Sequence, residues 1–223
     1  MKNTSTKHIS AKTLATLAML CAIAFVAKLI SNVFPTVSGF LSFDLKDVVI
    51  VIGGFMMGPL AAVAITVVVS LVEMLTISST GFIGLVMNVL ASCAFACTAA
   101  VIYKRDHSMK GAILGLVGGV LLMTALMLLW NYLITPIYMG YPRSAVAAML
   151  IPVFLPFNLV KGGINATLTM LLYKPIVTAL RRAHLVEESS SGAKRSTKWG
   201  VILVTLVLLA TFVLLALVLA GVI

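Results

Sequence analysis

Between Asp47 and Glu73 the chain carries no charged residue. A stretch like that cannot coat a soluble domain. It exceeds the ~20 residues that cross a bilayer as a helix, and in hydrocarbon its backbone polar groups are satisfied only by helical hydrogen bonding. Gly58-Pro59 interrupts it. Proline lacks the amide donor and clashes with the preceding turn, so the stretch from Val48 to Leu75 reads as two shorter helices meeting at a tight turn. Other apolar runs extend from about Thr13 to Phe34, Phe82 to Tyr103, Gly111 to Tyr138, Leu155 to Leu180 and Trp199 to Ile223. Polar segments separate them. They are a loop from Thr36 to Asp47, TISSTG at 76–81, KRDHSMK at 104–110, and a connector holding Gly140, Pro142, Arg143, Pro152 and Pro156. The serine-rich RRAHLVEESSSGAKRSTK at 181–198 is the last. Only 10% of residues are charged, against ~25% in soluble domains. The chain reads as an all-α, polytopic membrane protein. Its parts are a tail (1–12), a six-helix membrane domain (13–182), a charged linker (183–198) and an additional membrane helix (199–223).

The net charge of +10 points to membrane orientation, not to nucleic acid. With the Gly-Pro split, Lys2, Lys7, Lys12, Lys104, Arg105, Lys110, Lys174, Arg181, Arg182, Lys194, Arg195 and Lys198 fall on one side; only Lys28, Lys46, Arg143 and Lys161 fall towards the other. Cytoplasmic segments carry the excess of Lys and Arg. The expected topology is seven spans in the cell membrane, N-terminus and linker cytoplasmic, C-terminus outside. The first apolar run is long enough to span and has no convincing small-residue cleavage site, so it does not read as a cleaved signal.

Catalytic chemistry finds no support. There is no GxxxxGK[ST], no HExxH and no Ser or Cys nucleophile with a partner His; His8, His107 and His184 lie in or at the edges of cytoplasmic segments. Cys21, Cys93 and Cys97 lie in apolar runs and read as small packing residues. Asn165-Ala166-Thr167 fits a glycosylation pattern but falls inside a span. No cofactor is indicated.

Polar residues nevertheless recur at one depth on the outer side. Asn131 lies near the outer end of the fifth helix, Asn158 and Lys161 in the outer part of the sixth, Asn88 in the outer half of the fourth. Asp44 and Asp47 lie in the first outer loop, and Glu73 at the outer end of the third helix. Asn158 and Lys161, three apart, share a helix face. An amide offers a donor and an acceptor and an ammonium offers donors alone, which suits a flat ligand edge with carbonyls and an N–H. Trp130, Tyr132, Phe154 and Phe157 flank them as stacking walls. Structural alternatives stand beside these readings. Asn131 can bond between helices. Lys161 can snorkel or pair with Glu73 or Asp44, snorkelling is the leading reading of Lys28, and Asp44 or Asp47 can cap the second helix. Ala18 and Ala22, continued by Ala11 and Ala15, form a small-residue stripe that lets a helix approach closely, within the chain or in a partner.

FLSFDLKD, IGGFMMGPLA, GFIGLVMN, LLWNYLITPIYMG and FLPFNLVKGG, in that order, resemble the riboflavin-specific S-component of energy-coupling factor (ECF) transporters, over about residues 13–182. The resemblance implies six membrane helices around an outward-facing vitamin pocket roofed by the loop after the first helix. It implies that Asn131, Asn158 and Lys161 hydrogen-bond the isoalloxazine ring, that Leu41, Phe43 and Asp44 belong to the lid region, and that Asn88 is a polar contact on the fourth helix. It makes the Ala18–Ala22 stripe the docking surface for a transmembrane coupling subunit. Two ATP-binding subunits drive delivery, for which the S-component topples in the membrane, and riboflavin is cargo, not cofactor. Two departures stand out. The third helix reads ITVVVSLVE, with only Thr66 and Ser70 as milder polar groups where some relatives carry charged and amide residues, and the last span has no counterpart in the six-helix core. Alternatives are an S-component for FMN, roseoflavin or another vitamin, with Lys46 or Arg143 meeting a phosphate, and a ligand-free structural membrane protein.

Overall fold

The computed structural model describes residues 10–182 and 199–223. Residues 1–9 and the linker 183–198, which carry much of the charge behind the expected orientation, lie outside the described residues. The regular elements of the described residues are all helical, without a named strand: α1 (Ala11–Ser31), α2 (Lys46–Met57), α3 (Pro59–Thr76), α4 (Gly81–Arg105), α5 (Met109–Met139), α6 (Arg143–Met149), α7 (Leu155–Arg182) and α8 (Trp199–Leu219). Among the described residues, six helical segments are long and apolar enough to cross a membrane by length and composition: α1, α3, α4, α5, the α6–α7 unit and α8.

The expected break at Gly58-Pro59 is present. Gly58 has φ of +92° and serves as the C-cap of α2 and the N-cap of α3, with Pro59 as the first residue of α3. Glycine adopts that φ without a Cβ penalty, and proline's missing donor costs nothing at the first helical position. α2 is the short member of the helices expected to span. It has 12 residues, a rise of ~18 Å against a hydrocarbon layer of ~30 Å. It tolerates this because it does not face lipid. Ten of its residues, Lys46 to Phe55, are buried, packed among α1, α3, α4 and α7.

The proline-rich connector is also different from expectation. It is helix α6, a π-helical turn at Leu150–Phe154, and then α7. Pro152 within the turn and Pro156 at the second position of α7 remove two amide donors, and a wide turn accommodates such interruptions. Ser108 starts α5 by accepting the Gly111 N–H at 3.1 Å, and Gly140, at φ +68°, ends it.

α4 and α5 pack with their backbones nearly touching. A Cβ on Gly115 would lie 2.7 Å from the Ala99 carbonyl oxygen, and one on Gly119 would lie 2.5 Å from that of Phe95. Small residues four apart permit this approach. The main apolar core runs from Leu20 and Ala24 of α1 through Ile50, Ile65, Phe95 and Met123. A second cluster joins Val37 and Phe43 of the α1–α2 loop, Phe157, Val160 and Ile164 of α7, and Ala216 of α8. Leu41, Leu45, Leu209 and Phe212 pack against it.

Candidate functional site

At the end of the bundle where α1, α3 and α5 finish and α4 and α7 begin, a cavity of about 270 Å³ opens. That is close to the ~300 Å³ lower bound of usual ligand pockets. Its floor and walls include Met87, Asn88 and Ala91 of α4, Met127 and Asn131 of α5, and Phe157, Asn158 and Lys161 of α7. The loop residues Phe40, Leu41, Ser42 and Asp44 close one side, and Lys28, Asn32, Glu73 and residues 77–80 complete the rim.

The amides are held by their own helices. Asn131 donates to the Met127 carbonyl at 2.7 Å and accepts from the Thr135 hydroxyl at 2.8 Å. Asn158 donates to the Phe154 carbonyl at 2.7 Å. These bonds fix the side-chain rotamers one turn from the backbone groups they use. Lys161 is half-buried. It has no salt-bridge partner within 4 Å among the described residues, so neither Glu73 nor Asp44 pairs with it directly.

Beside the cavity lies an ion network that the sequence reading did not assemble. Lys46, 1% exposed, donates to both Glu73 carboxylate oxygens at 2.7 Å and lies 3.1 Å from Asp44 Oδ2. Asn88 donates to Glu73 Oε2 at 3.1 Å. Burying a charge is costly unless it is paired and hydrogen-bonded. Glu73 sits in the last turn of α3, where the helix dipole disfavours an anion; the doubly bonded ammonium offsets this. Burial alone pushes the Asp44 carboxyl up. The ammonium groups of Lys46, Lys161 and Lys28 outweigh it and hold the carboxyl below the ordinary carboxylate range.

Several expectations change here. Lys28 does not snorkel: it is 3.8 Å from Asp44 Oδ2, its side chain 13% exposed, and it lines the cavity. Asp44 is not the N-cap of α2. Leu45 is, and Asp44 accepts the Lys46 N–H at 3.0 Å from one residue earlier. Asp47 is not in the loop but in the first turn of α2, buried and accepting from Ser92 of α4. Phe43 turns away from the cavity onto Phe157, ring centroids 5.2 Å apart. Of the aromatic walls expected, only Phe157 lines the cavity, joined by Phe40. Trp130 packs on the main core, Phe154 meets Phe40 edge-on, and Tyr132 lies under the Arg143 guanidinium. Asn165, seen only as part of a glycosylation pattern, is buried and donates to the Asp44 carbonyl at 2.8 Å, tying the loop to α7. Its spacing of four from Lys161 was the signal that it shares the face of the site. Ala11, Ala15, Ala18 and Ala22 are all exposed on α1.

A cavity walled by amides, lysines and carboxylates within a bundle of apolar helices marks a polytopic membrane protein with a candidate small-molecule pocket. The family model described as "ECF transporter, substrate-specific component" matches residues 12–173. The chain belongs to that family, whose members are transporter components and not enzymes. It is 31% identical to the "Riboflavin transporter FmnP" of Bacillus subtilis (strain 168), the match covering 78% of this chain and 98% of the relative. It is 32% identical to the "Riboflavin transporter RibU" of Staphylococcus aureus (strain TCH60), over 77% of this chain and 93% of the relative. A solved structure described as "Structure and mechanism of the S component of a bacterial ECF transporter" superposes with a TM-score of 0.64 at 32% identity, covering 76% of this chain and 97% of the other.

Proposed function

We propose that this protein is the riboflavin-binding subunit of an ATP-driven ECF importer. One observation carries the reading: Asn88, Asn131, Asn158 and Lys161, from three helices, line a single cavity bordered by the Phe40–Asp44 loop. Two relatives named as riboflavin transporters support the choice of ligand. Amide and ammonium donors suit the carbonyls of an isoalloxazine ring, and Phe157 and Met127 offer apolar surface to its faces. The cations named in advance for a phosphate are engaged elsewhere, Lys46 with Glu73 and Asp44 and Arg143 over Tyr132. Together with the groups beside it, the cavity sets three lysines, Lys28, Lys46 and Lys161, against three carboxylates, Asp44, Asp47 and Glu73, which leaves no net charge for a phosphate to meet. This balance favours an uncharged ligand over FMN.

In this reading the cavity end faces outward, the N-terminus is cytoplasmic, and the exposed Ala11–Ala22 stripe receives a transmembrane coupling subunit. Two ATP-binding subunits supply the energy for release inside. The test is a titration of the detergent-purified protein with riboflavin, followed by flavin fluorescence, with FMN as competitor. Stoichiometric quenching of riboflavin that an excess of FMN fails to reverse is the expected result. A folded protein that leaves riboflavin fluorescence unchanged overturns the reading.

A further inference from the structure

Helix α8 lies beyond residues 12–173, the span matched to the family. It packs on α7, and its seat there is specific. A Cβ on Gly163 of α7 would fall 2.5 Å from the Phe212 ring, so the glycine makes room for that ring. One turn further, Ala216 is buried in the cluster that also holds Val37 and Phe43 of the loop. The loop therefore has two faces. Phe40, Ser42 and Asp44 border the cavity, Val37 and Phe43 enter the apolar cluster shared with α7 and α8, and Leu41 touches both. The Asp44 end is tethered by polar bonds, Asn165 to the Asp44 carbonyl and the Leu45 N–H to Ser31. The Val37–Phe43 part is held through the apolar cluster.

Lipid tails are as apolar as leucine, so covering this cluster gains little from the hydrophobic effect. What a packed helix adds is a fixed surface behind the α7 side of the cluster, and the loop loses its own contacts with that cluster when it swings away. We propose that α8 is a latch for the loop beside the cavity, with Phe212 and Ala216 as positioning residues that slow loop opening and thereby the exit of bound ligand. The ligand-exit half rests on the function proposed above; the loop-opening half does not.

The test uses the full chain with Phe212→Ala, which removes the ring, and Ala216→Leu, which wedges α8 from α7. Leu206→Ala, on the exposed side of α8, is the control. Two quantities are read: backbone hydrogen exchange of residues 36–43 in the protein without riboflavin, and the riboflavin dissociation rate by fluorescence recovery. Both are expected to rise about tenfold in either latch variant, equivalent to ~1.4 kcal/mol, and to stay at the wild-type value in the control. Unchanged loop exchange in whichever latch variant folds overturns the proposal, as does an equal rise in the control. Faster exchange with an unchanged dissociation rate overturns the ligand-exit half. A wild-type protein that ignores riboflavin overturns the functional reading instead, and loop exchange then decides the latch by itself.

Discussion

Lys46 and Lys161 are both lysines at the cavity end of the bundle, and their surroundings give them opposite roles. Lys46 is enclosed and bonded to Glu73 and Asp44. Lys46→Ala leaves two buried carboxylates without their main counter-charge, a loss of ~3–5 kcal/mol for a broken buried pair. Thermal unfolding in detergent is expected to fall sharply with or without riboflavin. Adding Glu73→Ala is expected to recover part of that loss, because a buried charge goes with it; a double variant no more stable than the single one contradicts the account. Lys161 holds no ion pair among the described residues and borders the cavity. Lys161→Ala is expected to leave the unfolding temperature near wild type and weaken riboflavin tenfold or more, ~1.4 kcal/mol. Unchanged affinity in the titration removes Lys161 from the site. The sequence marked both positions as polar groups on the outer side. It did not separate them, because pairing is decided by distance between α2 and α3, and no spacing within one helix encodes that distance.

At the scale of helices, adjacent glycines of α5 make different predictions. Gly119 faces the Phe95 carbonyl of α4, whereas a Cβ on Gly118 would meet the Ile102 side chain at 3.4 Å. Gly119→Ala drives a methyl into backbone and is expected to cost ~1–3 kcal/mol by overpacking. Gly118→Ala is expected to be neutral or to gain up to ~1 kcal/mol from helix propensity. Thermal unfolding of the two single variants checks this, and equal effects contradict the close α4–α5 approach. The four-residue glycine spacing was there to be read. The long helices were read to within a few residues because twenty apolar residues in a bilayer have one solution. α2 and the α6–π–α7 segment were read less well. A short helix buried in protein escapes the length rule, and prolines that break a helix in water are accommodated where neighbouring turns widen around them.

For the whole molecule, the prediction concerns partners. The alanine stripe on α1 is exposed and lies away from the cavity lining. Ala18→Trp with Ala22→Trp is therefore expected to leave riboflavin binding to the purified subunit intact. The same change is expected to abolish riboflavin uptake by cells that supply the coupling and ATP-binding subunits. Normal uptake removes the stripe from the docking surface. Loss of binding in the purified subunit shows that the stripe serves the fold instead.

Some of this protein was determined by sequence alone: membrane residence, the break at Gly58-Pro59, and which amides and lysine lie at one depth. Hydrocarbon tolerates neither unbonded backbone nor stray polar side chains, so each of these leaves a local mark. Only the tertiary structure decided which polar groups meet. It placed Asn88 on Glu73, turned Phe43 from the cavity to Phe157, tied Asn165 to the loop, and joined α8 to the apolar cluster that the loop enters. Those choices depend on where helices distant in sequence cross and how close their backbones come. Volumes and crossing geometry set these contacts, and neither can be read from the order of residues along one helix.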